Sequence, residues 1–248
     1  MITEDIRSFL NEKVEFYNQQ SFIDDDPIKV VHQFTRKEDI EIIGFLVATI
    51  AWGNRKSIIK NSQKLCEIME FQPFNFIMDY EEKELDFVHR TFNSDDLNFF
   101  FLSLKNIYQK HGGLEAVFRK ELETKERIIQ FRSVFLEVPH LKRSEKHLSN
   151  PEKGSAAKRI NMYLRWMIRQ DKKGVDFGIW KGHKSSSLFI PLDVHTGVSA
   201  RKLGLIKRKQ NDWKALEELM KQVSDLDPSD PCKYDFALFG LSANKELD

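Results

Sequence analysis

The sequence predicts an all-α protein, on three observations. Apolar residues recur at helical spacing along much of the chain, as in Ile6, Phe9, Leu10, Val14 and Tyr17, and again in Ile160, Tyr163, Leu164 and Met167. No stretch sustains the apolar–polar alternation of a half-buried strand. Neither a glycine-rich phosphate loop leading from strand to helix nor an internal repeat is present. With 248 residues, 41% hydrophobic and 31% charged, the chain is long enough to bury a core as one large domain or as two lobes.

Residues 1–20 read as a first helix, with Thr3 as a plausible cap, broken by Asp24-Asp25-Asp26-Pro27. The acidic triplet reads as a loop that caps the next element, because a metal would need a second ligand cluster and none accompanies it. Pro27 to Phe34 is a short element. Lys37 to Ile50 then predicts a helix so apolar from Ile42 onward that it must be buried on most sides. It leaves through Trp52-Gly53-Asn54-Arg55, and Ser57 to Met69 is the next amphipathic helix. Asp95 to His111 and the segment after Gly112-Gly113 follow. The 20 phenylalanines, Phe99, Phe100 and Phe101 among them, are read as core, because exposed base-stacking rings are few in any nucleic-acid binder. His89-Arg90 has side chains suited to a phosphate or a base, and the pattern assigns them no place.

The residues with the strongest claim to chemistry lie between Gly154 and Leu205. Small residues from Gly154 to Ala157 lead into an amphipathic helix with Lys158 in its first turn. The positive end of a helix dipole disfavours an ammonium, which suits an amine that must lose a proton before it attacks. Later, Ile190-Pro191-Leu192 leads to Asp193, followed by a short helical run that ends in Arg201-Lys202 and Gly204. An aspartate in that position caps the helix, and the same carboxylate is available for catalysis. His195 is either a neighbour of a ligand pocket or a satisfied polar contact; one histidine and one carboxylate make a poor metal site.

Taken together, Gly154-x-x-x-Lys158 opening a helix, an apolar-Asp193-x-His195 run and Arg201-Lys202-Leu203-Gly204-Leu205 resemble the helix-hairpin-helix DNA glycosylase superfamily, whose type member is endonuclease III. Residues 39–65 are similar to that family's opening helix, polar turn and second helix. Trp213 to Met220, Asp227-Pro228 and Tyr234 to Gly240 resemble its closing helices. The hairpin glycines are reduced to Gly154, and an insertion from Gln170 to Leu188 sets Lys158 and Asp193 35 residues apart. That spacing resembles the archaeal 8-oxoguanine glycosylase branch. The chain is also similar to a bacterial family of conserved hypothetical proteins.

The resemblance implies two helical lobes with a cleft between them, one formed by residues 36–192 and the other by 1–35 with 193–248. It implies a base-excision glycosylase with AP lyase activity that acts on double-stranded DNA carrying a damaged base. Lys158 would attack the sugar and Asp193 would assist. Asn54 would fill the gap left by an extruded nucleotide, with Arg55 beside it, while Trp52 and His195 would lie near the base pocket. Gly154, Arg201, Lys202, Lys207, Arg208 and Lys209 would meet the DNA backbone. The alternative kept open is a DNA- or RNA-binding module with this fold and no catalysis.

Net charge is only +1, but residues 1–100 carry 11 basic and 19 acidic side chains whereas residues 142–184 carry 12 basic and 4 acidic. Basic clustering beside Lys158 is the footprint expected of phosphate binding, although a solvated lysine loop would look the same. Two cysteines, Cys66 and Cys232, cannot supply the four thiolates of an iron–sulfur cluster. No cofactor and no metal are expected. The chain has neither an apolar run approaching 18 residues nor a signal-peptide pattern at its start, so a cytoplasmic monomer is expected.

Overall fold

The computed structural model describes residues 4–247, and every regular element among them is helical. The only extended pairings among the described residues are two isolated bridges, His89 with Phe92 and Ser155 with Asp212. Thr3, the expected first cap, lies outside the described residues. No helix among them is long and apolar enough to cross a membrane.

The chain divides into two compact units, a middle one of residues 25–149 and a terminal one that joins residues up to 24 with those from 150 onward. This differs from the expected lobes of 36–192 and 1–35 with 193–248. Residues 150–192 go with the termini, for reasons of packing and charge given below. The terminal unit begins with α1 (Glu4–Tyr17) and α2 (Ser21–Asp24). The middle unit holds α3 (Ile28–Val31), α4 (Lys37–Ile50), α5 (Arg55–Ile68), α6 (Pro73–Asp79), α7 (Ser94–Lys110), α8 (Leu114–Val117) and α9 (Thr124–Phe135). The terminal unit resumes with α10 (Lys158–Ile168), α11 (Val194–Lys202), α12 (Trp213–Leu226) and α13 (Tyr234–Ala243).

In the middle unit α4 is buried along almost its whole length, as its composition requires. Phe45 on α4 meets Phe100 of α7 at 5.8 Å and Phe131 and Phe135 of α9 at 5.4 and 5.3 Å between ring centroids. Each such pair adds about 0.5–1.5 kcal/mol beyond the area it buries, so these phenylalanines are core. Asp26 accepts from the Ile28 backbone N–H at 3.0 Å, which gives the acidic triplet a capping role at α3. α7 starts in a reciprocal capping box between Asn93 and Asp96.

In the terminal unit α13 packs against α1 and α11. Gly240 lets α1 approach, since a Cβ there would lie 2.4 Å from the Tyr17 ring. The stretch from Gln170 to Leu188 is a wrap around α10 and not a solvated loop. The Phe177 and Trp180 N–H groups donate to the carbonyls of Trp166 and Met167 at 2.8 and 3.0 Å, where α10 ends. Val175, Trp180 and Leu188 are buried, with Trp180 edge-on to Tyr163 at 5.6 Å.

Beneath this wrap lies a buried ion-pair chain. Arg165 holds Asp176 at 3.1 Å and also Asp235, while Arg169 reaches Asp176, Asp171 and Asp230 at 3.1, 2.7 and 2.9 Å. Burial opposes the Arg169 charge, but the Asp176 and Asp230 carboxylates outweigh it and hold the proton more firmly than usual. These pairs fasten the wrap and α10 to α13 and the loop before it, which assigns residues 150–192 to the terminal unit.

Candidate active site

Lys158 is the first residue of α10. The approach to it is bent by two left-handed residues, Gly154 with φ 84° and Ala157 with φ 50°. Gly154 accepts at its carbonyl from the Trp213 N–H at 2.9 Å, and Ser155 pairs with Asp212, so the turn is stapled to the start of α12. Ala157 takes this conformation despite its Cβ, at a cost of about 1–2 kcal/mol. One turn into the helix, Asn161 is fully buried and donates to the Ala156 carbonyl at 3.0 Å. The small residues before Lys158 therefore make a tight corner, and the lysine emerges half-buried from it.

Asp193 is the N-cap of α11 and accepts from the Thr196 N–H at 2.9 Å. Its carbonyl accepts from the Asn211 side chain at 2.7 Å. Thr196 turns its hydroxyl the other way, donating to Asp235 Oδ1 at 3.3 Å, and Arg165 donates to the other oxygen of Asp235. One threonine thus links two carboxylates from different helices.

Asp235 joins the two residues singled out in the sequence. Burial pushes its carboxyl up to about 6; Arg165 pulls it down, Asp193 pushes it up and Lys158 pulls it down. Asp193 and Asp235 are thus linked through Thr196, and the charges of Lys158 and Asp193, 35 residues apart in the chain, both act on the buried acid. An amine, a capped carboxylate and a buried acid are group types that can supply a nucleophile, a stabiliser of positive charge and a store for a proton.

The family described as a protein of unknown function, DUF2400, matches residues 26–244. The chain belongs to that family. No curated protein and no solved structure matches it.

The basic residues of this DUF2400 chain after Asp193 fall into two kinds. Arg201 donates to the Arg208 carbonyl at 2.8 Å and to Asn211 at 2.6 Å, and Arg208 is paired with Asp212, so both guanidinium groups build the loop between α11 and α12. Lys202 is exposed and donates to the Leu247 carbonyl at 3.0 Å, while Lys207 and Lys209 are exposed. His195 is also exposed, with Nδ1 3.2 Å from the Ser242 hydroxyl and its ring edge-on to Phe239. Gly197 keeps this region compact, since a Cβ there would lie 2.6 Å from Asn211 and 2.8 Å from Arg201. Among the described residues no group of three or more His, Cys, Asp or Glu is arranged to hold a metal ion. Both thiols are buried, and burial pushes Cys66 up to about 12, so neither is a nucleophile.

The turn Trp52-Gly53-Asn54-Arg55 belongs to the middle unit. Asn54 caps α5, accepting from the Ser57 N–H at 3.3 Å, and both Asn54 and Arg55 are exposed. The structure also places His89-Arg90, which the sequence pattern left without a position. The Arg90 guanidinium lies over the Trp52 ring at 4.6 Å, and Gly53 is required beneath it. His89 donates from Nε2 to the Trp52 carbonyl at 3.1 Å and accepts at Nδ1 from Asn61 at 2.8 Å. Burial, aided by Arg90 and opposed by the Trp52 carbonyl, lowers its pKa and keeps it neutral. Trp52 is half-buried, with its indole N–H buried and unpartnered.

Sequence reasoning missed Asp235, Thr196, Arg165 and Asn211. A signal for Asp235 existed, because it is the one carboxylate in the otherwise apolar run of α13. An acid in so apolar a run needs a partner.

Proposed function

We propose that this DUF2400 chain is a DNA base-excision glycosylase with AP lyase activity, acting on duplex DNA that carries a damaged base. The observation that supports it most is that Lys158 opens one helix and Asp193 caps another, with the charges of both acting on the buried Asp235 carboxyl. Extrusion of the base exposes C1′ of its sugar. As the C1′–N bond breaks, its electron pair leaves with the base, which takes up a proton, and positive charge builds on the sugar as in glycoside hydrolysis. The Asp193 carboxylate offsets that charge.

Lys158 Nζ, as the neutral amine, forms a bond to C1′ and loses a proton to solvent or to Asp193. Opening of the sugar ring gives an iminium, which acidifies the C2′ hydrogen. Its removal expels the 3′ phosphate and cuts the strand, and water then releases the lysine. Lys207 and Lys209, exposed on the loop between α11 and α12, are available to neutralise phosphates.

Borohydride reduction of the iminium is the test, with duplexes carrying 8-oxoguanine, uracil, thymine glycol or an abasic site. A covalent adduct that disappears in Lys158→Ala and is weakened in Asp193→Asn is expected. No adduct on any duplex, the abasic one included, would overturn the reading. The second reading, a nucleic-acid-binding module without catalysis, is favoured by the reduced hairpin, in which Gly154 is the single glycine and its carbonyl is taken by Trp213. It predicts duplex binding that survives loss of both Lys158 and Asp193.

A further inference from the structure

Arg90 is charged, exposed and unpaired among the described residues. It stands first in the two-residue turn between His89 and Phe92, which those two residues close with hydrogen bonds of 2.8 and 2.9 Å. Its φ of 57° is left-handed, a conformation that glycine or asparagine ordinarily supplies in such a turn. The guanidinium meets neither carboxylate nor carbonyl there and lies over the Trp52 ring at 4.6 Å. Gly53, with φ 104°, makes room for it, since a Cβ there would lie 2.6 Å from Nη1 of Arg90. The stack is anchored on both sides. Arg143 donates to the Thr91 carbonyl at 3.1 Å, and the His89 ring ties the Trp52 carbonyl at 3.1 Å to Asn61 of α5 at 2.8 Å. Residues 51–66 beside it carry four basic side chains and no acidic one, although residues 1–100 as a whole are acidic. Lys64 of these is paired with Asp86, while Arg55, Lys56 and Lys60 are exposed.

We propose that the Arg90–Trp52 stack is a binding site for single-stranded nucleic acid, in which the edge of the guanidinium donates to a phosphate and an unstacked base lies against the indole–guanidinium pair. Every base has a flat face, and such faces stack on aromatic rings and on guanidinium planes. A duplex keeps those faces covered, so an unpaired strand is the better fit. Stacking on Trp52 orients the guanidinium fork and leaves its N–H donors unspent. Arg55, Lys56 and Lys60 then neutralise neighbouring phosphates of the same strand. A guanidinium that only braced the turn would require neither free donors nor a basic surround. All of these residues belong to the middle unit. The site shares a nucleic-acid partner with the proposed function but needs no lysine chemistry.

The full-length protein is titrated with a thymidine oligonucleotide, which forms no duplex with itself, and its tryptophan emission is followed. Trp166, Trp180 and Trp213 are buried, so the half-buried Trp52 is the reporter. Quenching is expected with the oligonucleotide and not with heparin, a polyanion that has no bases. Trp52→Phe is expected to abolish it. Arg90→Ala is expected to weaken binding about fivefold or more, read by the anisotropy of a labelled oligonucleotide. Arg90→Lys, which keeps the charge without the planar fork, is expected to recover only part of that loss.

A merely structural Arg90 predicts a different pair of results: Arg90→Ala lowers the melting temperature and leaves oligonucleotide affinity unchanged. That outcome overturns the site, and so does full recovery in Arg90→Lys, which would leave only a point charge. Should Arg90→Ala fail to fold, the wild type decides. Quenching by the oligonucleotide alone supports the site, whereas quenching that is absent, or equal with heparin, overturns it. Oligonucleotide binding that depends on Arg90, without any borohydride adduct, would keep this site and remove the glycosylase reading. An adduct with oligonucleotide affinity unmoved by Arg90→Ala would do the reverse.

Discussion

Two residues show how local chemistry fixes this site, and both give measurable consequences. Burial makes Asp235 bind its proton more firmly in the folded chain, at about 6, above the ordinary aspartate value of 3.8. The folded state therefore holds more protons between those values, and the stability that Asp235 contributes is complete below about pH 3.8 and lost as pH rises through about 6. The whole change is on the order of 2–3 kcal/mol. The difference in melting temperature between wild type and Asp235→Asn should therefore move against the wild type from about pH 4 to about pH 7. Thermal unfolding across that range checks it, and a difference independent of pH would remove Asp235 as its cause. The backbone before Lys158 gives a second, paired prediction. Ala157 and Gly154 both have left-handed φ, so Ala157→Gly should stabilise by about 0.5–1 kcal/mol, and Gly154→Ala should destabilise by about 1–2 kcal/mol. No atom lies within 4 Å of a Cβ built at Gly154, so its cost is conformational and not steric. Urea denaturation midpoints of the two variants should move in opposite directions.

At the scale of the element, α10 is held in place by a segment that reads as a loop. Trp180 is fully buried on Tyr163, and its backbone ties to the end of α10, so Trp180→Ala should cost about 3–5 kcal/mol. A denaturation curve that placed the loss under 1 kcal/mol, roughly the cost of a surface change, would mean the wrap is dispensable. Such elements were unequally legible in the sequence. The Lys37–Ile50 helix was readable to the residue because its composition leaves it no choice but burial, and Lys158 was placed in a first turn by the small residues before it. The other ends were fixed by caps: α5 begins at Arg55 under Asn54, two residues before the expected Ser57, and α12 continues to Leu226, beyond the expected Met220. The wrap was illegible as structure because lysines and glycines dominate its composition, while its few anchors, Val175, Trp180 and Leu188, are widely spaced. Asp235 was illegible as part of the site because its partners are 70 and 39 residues away, distances over which no local pattern reports.

For the whole molecule the proposed function raises the question of which charges would face DNA. Residues 150–248 carry 18 basic side chains against 13 acidic, the excess expected of a chain that binds a polyanion. The structure divides that excess by role. Arg165 and Arg169 are consumed in buried pairs, and Arg201 and Arg208 in building the loop between α11 and α12. Lys207 and Lys209 remain on the surface of the same loop. Counterion release makes the distinction measurable, because each phosphate neutralised contributes about 0.9 to the slope of log affinity against log salt. Lys207→Ala and Lys209→Ala should each lower that slope by about 1, weakening binding alike for every duplex sequence and leaving the melting temperature unchanged. Arg201→Ala should do the opposite, lowering the melting temperature through the lost bonds to the Arg208 carbonyl and Asn211 while leaving the slope as it was. Fluorescence anisotropy over a salt series, with a melting curve for each variant, reads both quantities. If the slope fell for Arg201→Ala and held for the two lysines, the phosphate contacts would lie with the arginine and not with the exposed lysines, and this division of the surface would be wrong.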